Sequence, residues 1–138
     1  NIASGFPKFK TEFLDFLVQH QDFVTYHGRY KQSEIPELIQ LVDWVIVPSV
    51  WWENSPLVIQ EVFMHKRPII CSDIGGMAEK VENNVTGLHF KVGNFVSLAH
   101  QLQKAVNYPE IWASLLQNIA PRLSIEQSAI QHIQVYET

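Results

Sequence analysis

Cysteine is almost absent from this sequence: Cys71 stands alone in 138 residues. A single thiol excludes an internal disulfide framework and any metal site built from several cysteines. It fits a reducing, cytoplasmic setting. Charge is also sparse, at 17%, and its balance is acidic, with 10 Lys and Arg against 14 Asp and Glu. No basic excess exists to replace phosphate counterions, which argues against nucleic acid as a partner. Long apolar runs are missing. The longest, around Trp44 to Trp52, is too short to span a bilayer and contains Pro48. No basic segment followed by an apolar run marks a secretory leader. Gly-x-Ser-x-Gly and Walker A patterns do not occur, which disfavours serine hydrolases and P-loop kinases. Of the six histidines, 20, 27, 65, 89, 100 and 132, no two stand four residues apart on a helix, so no metal is expected.

What the chain does have is apolar and aromatic bulk: 46% hydrophobic and 12% aromatic residues. That excludes a disordered chain and suffices for one domain with a sizeable core. The opening Asn1-Ile2-Ala3-Ser4-Gly5-Phe6-Pro7 lacks an initiator Met and reads as a piece of a longer protein. Residues 1–4 read as a short strand, 10–20 as a helix, and 23–26 as a strand ending at Gly28. Ser33 is placed to cap a helix running to Val42, with Pro36 in its first turn. Residues 44–47 read as a buried strand, 50–55 as a loop, and 56–65 as a helix with Pro56 at its first position. A strand over 68–71, a turn over 72–76, a short helix over 77–82 and a strand over 87–90 follow. Residues 94–107, 109–119 and 124 onward read as helices, the last opened by a capping box of Ser124 and Gln127. Near-continuous apolar strands alternating with helices mean an α/β, Rossmann-like parallel sheet with helices on both faces. The terminal helices, 107–138, either cover a sheet edge or cross to a partner domain, and covering the edge is the plainer reading.

In open parallel sheets, ligands bind beyond the carboxyl ends of the strands. Three segments fall there, 27–33, 48–56 and 72–76, and the middle one is the richest. It reads Pro48-Ser49-Val50-Trp51-Trp52-Glu53-Asn54-Ser55-Pro56-Leu57-Val58-Ile59-Gln60-Glu61, with seven residues between the two glutamates. A helix starting at Pro56 leaves the N–H groups of Leu57 and Val58 free, at the positive end of its dipole, which suits a phosphate or a sugar oxygen. Glu61 then lies ~7.5 Å further along the axis. Ionised carboxylates only accept hydrogen bonds, so they suit vicinal hydroxyls and repel phosphates. Two of them flanking an anion-accepting helix start describe a ligand with hydroxyls at both ends and phosphate between, the layout of a nucleotide-sugar.

The segment resembles the E-x7-E motif of the group 1 (family 4) retaining glycosyltransferases, in the C-terminal donor-binding domain of their GT-B fold. Other blocks agree in order and spacing. His27-Gly28 is similar to the family's F-x-G step, and Asp43-Trp44-Val45-Ile46-Val47-Pro48-Ser49 to its A-D-V-x-V-x-P-S strand. Arg67-Pro68-Ile69-Ile70 resembles G-x-P-V-I, and Asp73-Ile74-Gly75-Gly76-Met77-Ala78-Glu79 resembles x-x-G-G-x-x-E. Residues 83–90 resemble D-G-x-x-G-x-L-F, and the likeness covers roughly 1–106. The resemblance implies transfer of a sugar from a UDP- or GDP-sugar with retention and no bound metal or other cofactor. Glu61 would take the ribose hydroxyls and Glu53 would hold the transferred sugar in the catalytic position. Backbone N–H groups of Asn54, Ser55, Leu57 and Val58, around Pro56, would touch sugar and phosphate. Gly28, Arg29, Tyr30 and Lys31 would lie near the base, and Gly75 and Gly76 would let backbone approach the sugar. The acceptor, a glycan, lipid or polysaccharide, would be chosen mainly by an N-terminal domain absent from this chain. The full enzyme would work in the cytoplasm or peripherally at the inner face of a membrane, and this part would be inactive alone.

The family's first strand and glycine-rich turn, with an Arg and a Lys against the diphosphate, are absent here. Its usual Gly before the strand proline is replaced by Lys66, so either Lys66 takes a strained left-handed backbone or the helix ends differently. Plainer roles stand beside these. Ser55 suits a helix cap, Arg29 and Lys31 suit a solvated surface, Glu79 suits a helix start, and Cys71 suits an inert core thiol. Trp51 and Trp52 fit a stacked ligand or a packed neighbouring domain equally. A nucleotide-sugar epimerase or hydrolase of the same fold, and a non-catalytic binding module, remain alternatives.

Overall fold

The computed structural model describes residues 7–54 and 56–120. They fall into two compact units, one up to Gln32 and one from Ser33 onward. The first contains α1 (Pro7–Gln19), which starts earlier than its apolar spacing indicates because proline is tolerated in a first turn. Beyond α1 the contacts are aromatic: His20 lies 4.5 Å from Phe16 and 5.2 Å from Phe23 by ring centroids, and Phe13 meets Tyr26 edge-on at 5.3 Å. The strand expected over 23–26 does not form, since 21–23 are a turn and 24–31 carry no regular structure. β-prone side chains hold an extended segment only where a neighbour completes its backbone ladder. No strand pairs with this segment among the described residues. The expected strand over 1–4 and the helix with its Ser124 and Gln127 capping box lie outside the described residues.

The second unit begins with a 3-10 turn (Gln32–Glu34) running directly into α2 (Ile35–Gln40). Ser33 is therefore not the cap. It lies inside the 3-10 turn, whereas a capping residue needs non-helical backbone, and no side chain caps α2. There follow β1 (Val45–Val47), α3 (Leu57–Met64), β2 (Ile69–Ser72), α4 (Gly75–Lys80), β3 (Gly87–Phe90), α5 (Phe95–Asn107) and α6 (Pro109–Asn118). The strands form a parallel sheet in the order β1-β2-β3, with Val45 opposite Ile69 and Ile69 opposite Gly87. The α/β expectation holds, and the sheet is covered on both faces.

Side-chain alternation along β2 divides the core. Ile69 and Cys71 join Ile59, Val62 and Phe63 of α3, Met77 of α4, Val81, Ile39 and Ile119. Ile70 turns the other way, to Leu88, Phe90, Ala105 of α5 and Leu115 of α6. Both crossover helices thus lie on one face and the later helices on the other. That is why β2 is apolar at successive positions rather than at alternate ones, while β1, at the sheet edge, leaves Ile46 exposed. Ile69, Ile70 and Leu88 are fully buried, and such side chains contribute ~1.5–3 kcal/mol each. α5 is capped by Asn94, whose Oδ1 accepts from the Ser97 N–H at 2.9 Å. α4 begins two residues before the expected Met77, because Ile74 is still extended (ψ 142°) and Gly75 turns the chain at φ 52°. Among the described residues no helix is long and apolar enough to cross a membrane.

Candidate functional site

Parallel strands deliver their connecting loops to one edge of the sheet, and here three loops meet beyond the carboxyl ends. They are stitched together by backbone. The Gly76 N–H donates to the Glu53 carbonyl, joining the loop after β1 to the start of α4. The Asp73 N–H donates to the Phe90 carbonyl at 2.9 Å, and Asp73 Oδ1 accepts from the Val92 N–H at 2.8 Å, joining the loops after β2 and β3. The glycine pair makes the first of these contacts possible. A Cβ on Gly76 would stand 2.6 Å from the Glu53 carbonyl oxygen and 2.6 Å from the Asn54 carbonyl carbon. One on Gly75 would stand 2.9 Å from the Glu53 oxygen. Gly75 and Gly76 are both buried, and what they approach is the protein's own Glu53–Asn54 backbone. Their small size is explained by positioning Glu53.

Glu53 is half-buried, and its Oε1 accepts a hydrogen bond from Ser49 Oγ at 2.9 Å. Ser49 Oγ in turn accepts from the Trp51 N–H at 3.4 Å. The hydroxyl thereby fixes both the loop and one carboxylate oxygen. Ser49 was not singled out from the sequence; its signal was a hydroxyl four residues before the glutamate, across a turn. α3 starts one residue later than expected: Pro56 is its N-cap, with φ −63° and ψ 117°, and Leu57 is the first helical residue. The extended ψ holds Pro56 outside the helix, although its φ fits one. The Ile59 N–H donates to the Pro56 carbonyl at 3.2 Å, and no side chain among the described residues caps the helix. Among the described residues the N–H groups of Leu57 and Val58 have no partner. Ser55 lies outside the described residues.

Glu61 stands four positions after Leu57, hence ~6 Å along the axis from the true helix start. It shares the outer face of α3 with Leu57 and Met64, opposite the buried Ile59, Val62 and Phe63. Helical side chains lean towards the amino end, which directs this carboxylate back towards the unpaired N–H groups. Glu61 is half-buried and makes no side-chain hydrogen bond or ion pair among the described residues. Neither acid is sealed beneath other side chains. Gly28, Arg29, Tyr30 and Lys31 belong to the first unit. Gly28 turns the chain at φ 72°, and the three that follow it are exposed. Asn54 is exposed, with its carbonyl against Gly76.

Two further expectations concern groups away from the carboxylates. Lys66 takes the left-handed backbone, φ 53°, instead of ending the helix differently. Cys71 is a buried free thiol, pushed up to about 12 from 9.0 first by burial and then by the charge of Asp73, as suits an inert core group. Among the described residues no three His, Cys, Asp or Glu side chains converge as metal ligands. A cavity of ≈ 350 Å³ lies at the amino end of β1, lined by Asp43, Trp44, Ala105, Val106, Pro109 and Trp112, remote from the carboxylates.

Comparison with known proteins bears on the family and the fold. The chain is 28% identical over 101 residues to the alpha-D-kanosaminyltransferase of Streptomyces kanamyceticus, spanning 73% of this chain and 26% of that protein. Its fold matches Anabaena HepE in complex with UDP (TM-score 0.72, 23% identity, 80% of this chain, 30% of that one). It also matches the sucrose-phosphate synthase of Thermosynechococcus elongatus (0.74, 22%, 93% and 33%). A third match is a glycosyltransferase of Rickettsia africae (0.75, 20%, 97% and 37%). The chain thus spans between a quarter and two-fifths of the length of these proteins. The family model of the glycosyl transferases group 1 matches residues 10–120, and the chain belongs to that family.

Proposed function

We propose that this chain is the donor-binding part of a retaining glycosyltransferase that uses a UDP- or GDP-sugar. The observation carrying the reading is the amino end of α3, whose N–H groups at Leu57 and Val58 have no partner among the described residues and lie between Glu53 and Glu61 along the chain. Glu61 accepts the ribose hydroxyls, the helix start receives the diphosphate, and Glu53, held by Ser49, accepts hydroxyls of the transferred sugar. As the bond to the diphosphate breaks, charge builds on the leaving oxygens and an oxocarbenium-like centre forms. Preorganised N–H groups aimed at the leaving group stabilise that change without reorganising. The presence of UDP and UDP-glucose in the HepE complexes supports this class of donor. A glycan, lipid or polysaccharide acceptor, no metal requirement, and work in the cytoplasm or at the inner face of a membrane belong to the same proposal.

The test is calorimetry with UDP, GDP and their hexose conjugates on the complete protein. Glu61→Gln replaces an ionised acceptor with a neutral amide and lowers nucleotide affinity about tenfold, equivalent to ~1.4 kcal/mol. Glu53→Gln leaves UDP or GDP affinity in place and lowers the rate of transfer. Unchanged affinity in the Glu61 variant removes that residue from the site.

A further inference from the structure

The backbone of Glu53 leans on α4. The Gly76 N–H donates to the Glu53 carbonyl, and both glycines that open the helix lie against the Glu53–Asn54 backbone. Where α4 sits therefore decides where Glu53 sits. Yet α4 has six residues, about 9 Å of helix, too few to be held by its own hydrogen bonds. Among the described residues no side chain caps its start. At its far end the grip is concentrated in one residue of β3. His89 Nε2 lies 2.6 Å from the carbonyl oxygen of Val81, the residue that ends α4. A carbonyl only accepts, so Nε2 carries the hydrogen. The backbone N–H of the same histidine donates to Asn83 Oδ1 at 2.9 Å. His89 thus holds the chain on both sides of Glu82, once by its ring and once by its backbone. Val81 is fully buried, and a Cβ on Gly87 would stand 2.5 Å from its Cγ1, so β3 also fits closely against its side chain.

We propose that His89 is a positioning residue for Glu53, acting through α4. The inference rests on the donor reading above, which gives Glu53 the transferred sugar, and adds to it a residue that touches no substrate. The path is contiguous. It runs from β3 through His89 to the Val81 carbonyl, along α4 to the Gly76 N–H, and from there to the Glu53 carbonyl. Ser49 fixes the Glu53 carboxylate within its own loop, and α4 fixes that loop against the sheet. Loss of the imidazole donor takes a partner from the carbonyl of a buried residue and frees the carboxyl end of α4 to fray. The N–H groups that receive the diphosphate, and Glu61, belong to α3 and lie off this path. Nucleotide binding therefore survives the loss, while the placement of the transferred sugar does not, and small misplacements at a reacting centre are costly.

The experiment compares His89→Phe, His89→Asn and His89→Gln in the complete protein. Phenylalanine keeps a ring of similar size without the donor, and asparagine keeps an amide that stops one bond short. Glutamine places an amide N–H the same number of bonds from the backbone as Nε2. Hydrogen exchange at the Gly76 amide reads the contact with Glu53 directly. In the Phe and Asn variants it is expected to quicken about tenfold, while the Ile70 and Leu88 amides of the sheet keep their rates. Turnover of the UDP- or GDP-hexose that the parent binds is expected to show kcat lowered about tenfold, with nucleotide affinity by calorimetry unchanged. His89→Gln is expected to restore both. Unaltered Gly76 exchange in the Phe and Asn variants, equal acceleration at Ile70 and Leu88, or a Gln variant no better than Asn overturns the proposal. So does a fall in nucleotide affinity alongside kcat, since a general loss of structure then accounts for the defect. Failure of the parent to bind any nucleotide or nucleotide-sugar instead overturns the donor reading, and Gly76 exchange still decides whether His89 controls Glu53.

Discussion

At its carboxyl end α3 closes the carbonyls of Glu61, Val62 and Phe63, while at its amino end the N–H groups of Leu57 and Val58 have no partner among the described residues. The Lys66 N–H donates to the Phe63 carbonyl at 3.0 Å and the Arg67 N–H to the Val62 carbonyl at 3.2 Å, a complete Schellman closure. Lys66 occupies the left-handed position that glycine normally fills, at a strain of ~1 kcal/mol. Its Nζ reaches the Ile119 carbonyl at 2.8 Å, tying this end to the end of α6. Arg67 donates to the Val42 carbonyl at 2.8 Å, the Lys66 carbonyl at 3.2 Å and the Gln40 carbonyl at 3.3 Å, covering the negative end of α2. Among the described residues the amino end has no side-chain cap and two N–H groups without partners, with two exposed indoles shortly before it. The carboxyl end is tied to α2 and to the end of α6 by Arg67 and Lys66. Hydrogen-bonding capacity is kept in reserve at the end that follows Glu53.

The largest expected effect lies at the open end. Gly76→Ala drives a Cβ into the Glu53–Asn54 backbone, and backbone cannot yield as a flexible side chain does. A loss of about 3 kcal/mol is expected, read as a lower urea midpoint, together with displacement of Glu53. A wild-type midpoint would mean that the loop does not depend on this close approach, and the contrast between the two ends would weaken.

Arg67→Ala probes the closed end. It removes three charge-assisted hydrogen bonds from a partly exposed guanidinium, for an expected loss of about 1.5 kcal/mol. Hydrogen exchange should show the last turn of α2 fraying first. Between the two ends, the middle of α3 packs in the same cluster as Cys71. The folded state retains a thiol proton up to about pH 12 that the unfolded chain releases near 9.0. Stability from this group is intact below pH 9 and falls as pH rises towards 12, by about 1 kcal/mol at pH 10. The slope of urea midpoint against pH between 9 and 10 should flatten in Cys71→Ala.

The smallest effect belongs to Lys66→Gly. Relief of left-handed strain and loss of the bond to Ile119 have opposite signs and similar size, so the midpoint should move by no more than about 0.5 kcal/mol. A large loss would show that the Lys66 tie to α6 dominates the closure. A clear gain would show that the strain does.

Legibility in the sequence followed the range of the forces involved. The run around Ile69 was readable as a strand because burial on both faces demands apolar residues at successive positions, whereas Val45–Val47, expected to be buried, is an edge strand with Ile46 exposed. The Glu53 and Glu61 pair was readable as a candidate site because their spacing refers to one loop and one helix. The segment 23–26 was misread, because β-propensity is local while a ladder partner is not. Ser33 was misread as a cap because the preceding 3-10 turn had already committed its backbone.

Composition and order of residues were enough to establish an α/β chain with a parallel sheet, a carboxylate pair around a helix start, and a lone core cysteine. Those properties depend on periodicity, on residue chemistry and on contacts within a few positions. Tertiary structure alone decided why Gly75 and Gly76 must be small, how Ser49 holds Glu53, and which conformation Lys66 adopts. Each depends on backbone from elsewhere in the chain, Glu53–Asn54 against the glycines and Ile119 against Lys66, or on a turn that folds Ser49 back onto Glu53. Contacts of that kind exist only once the loops at the edge of the sheet have been brought together.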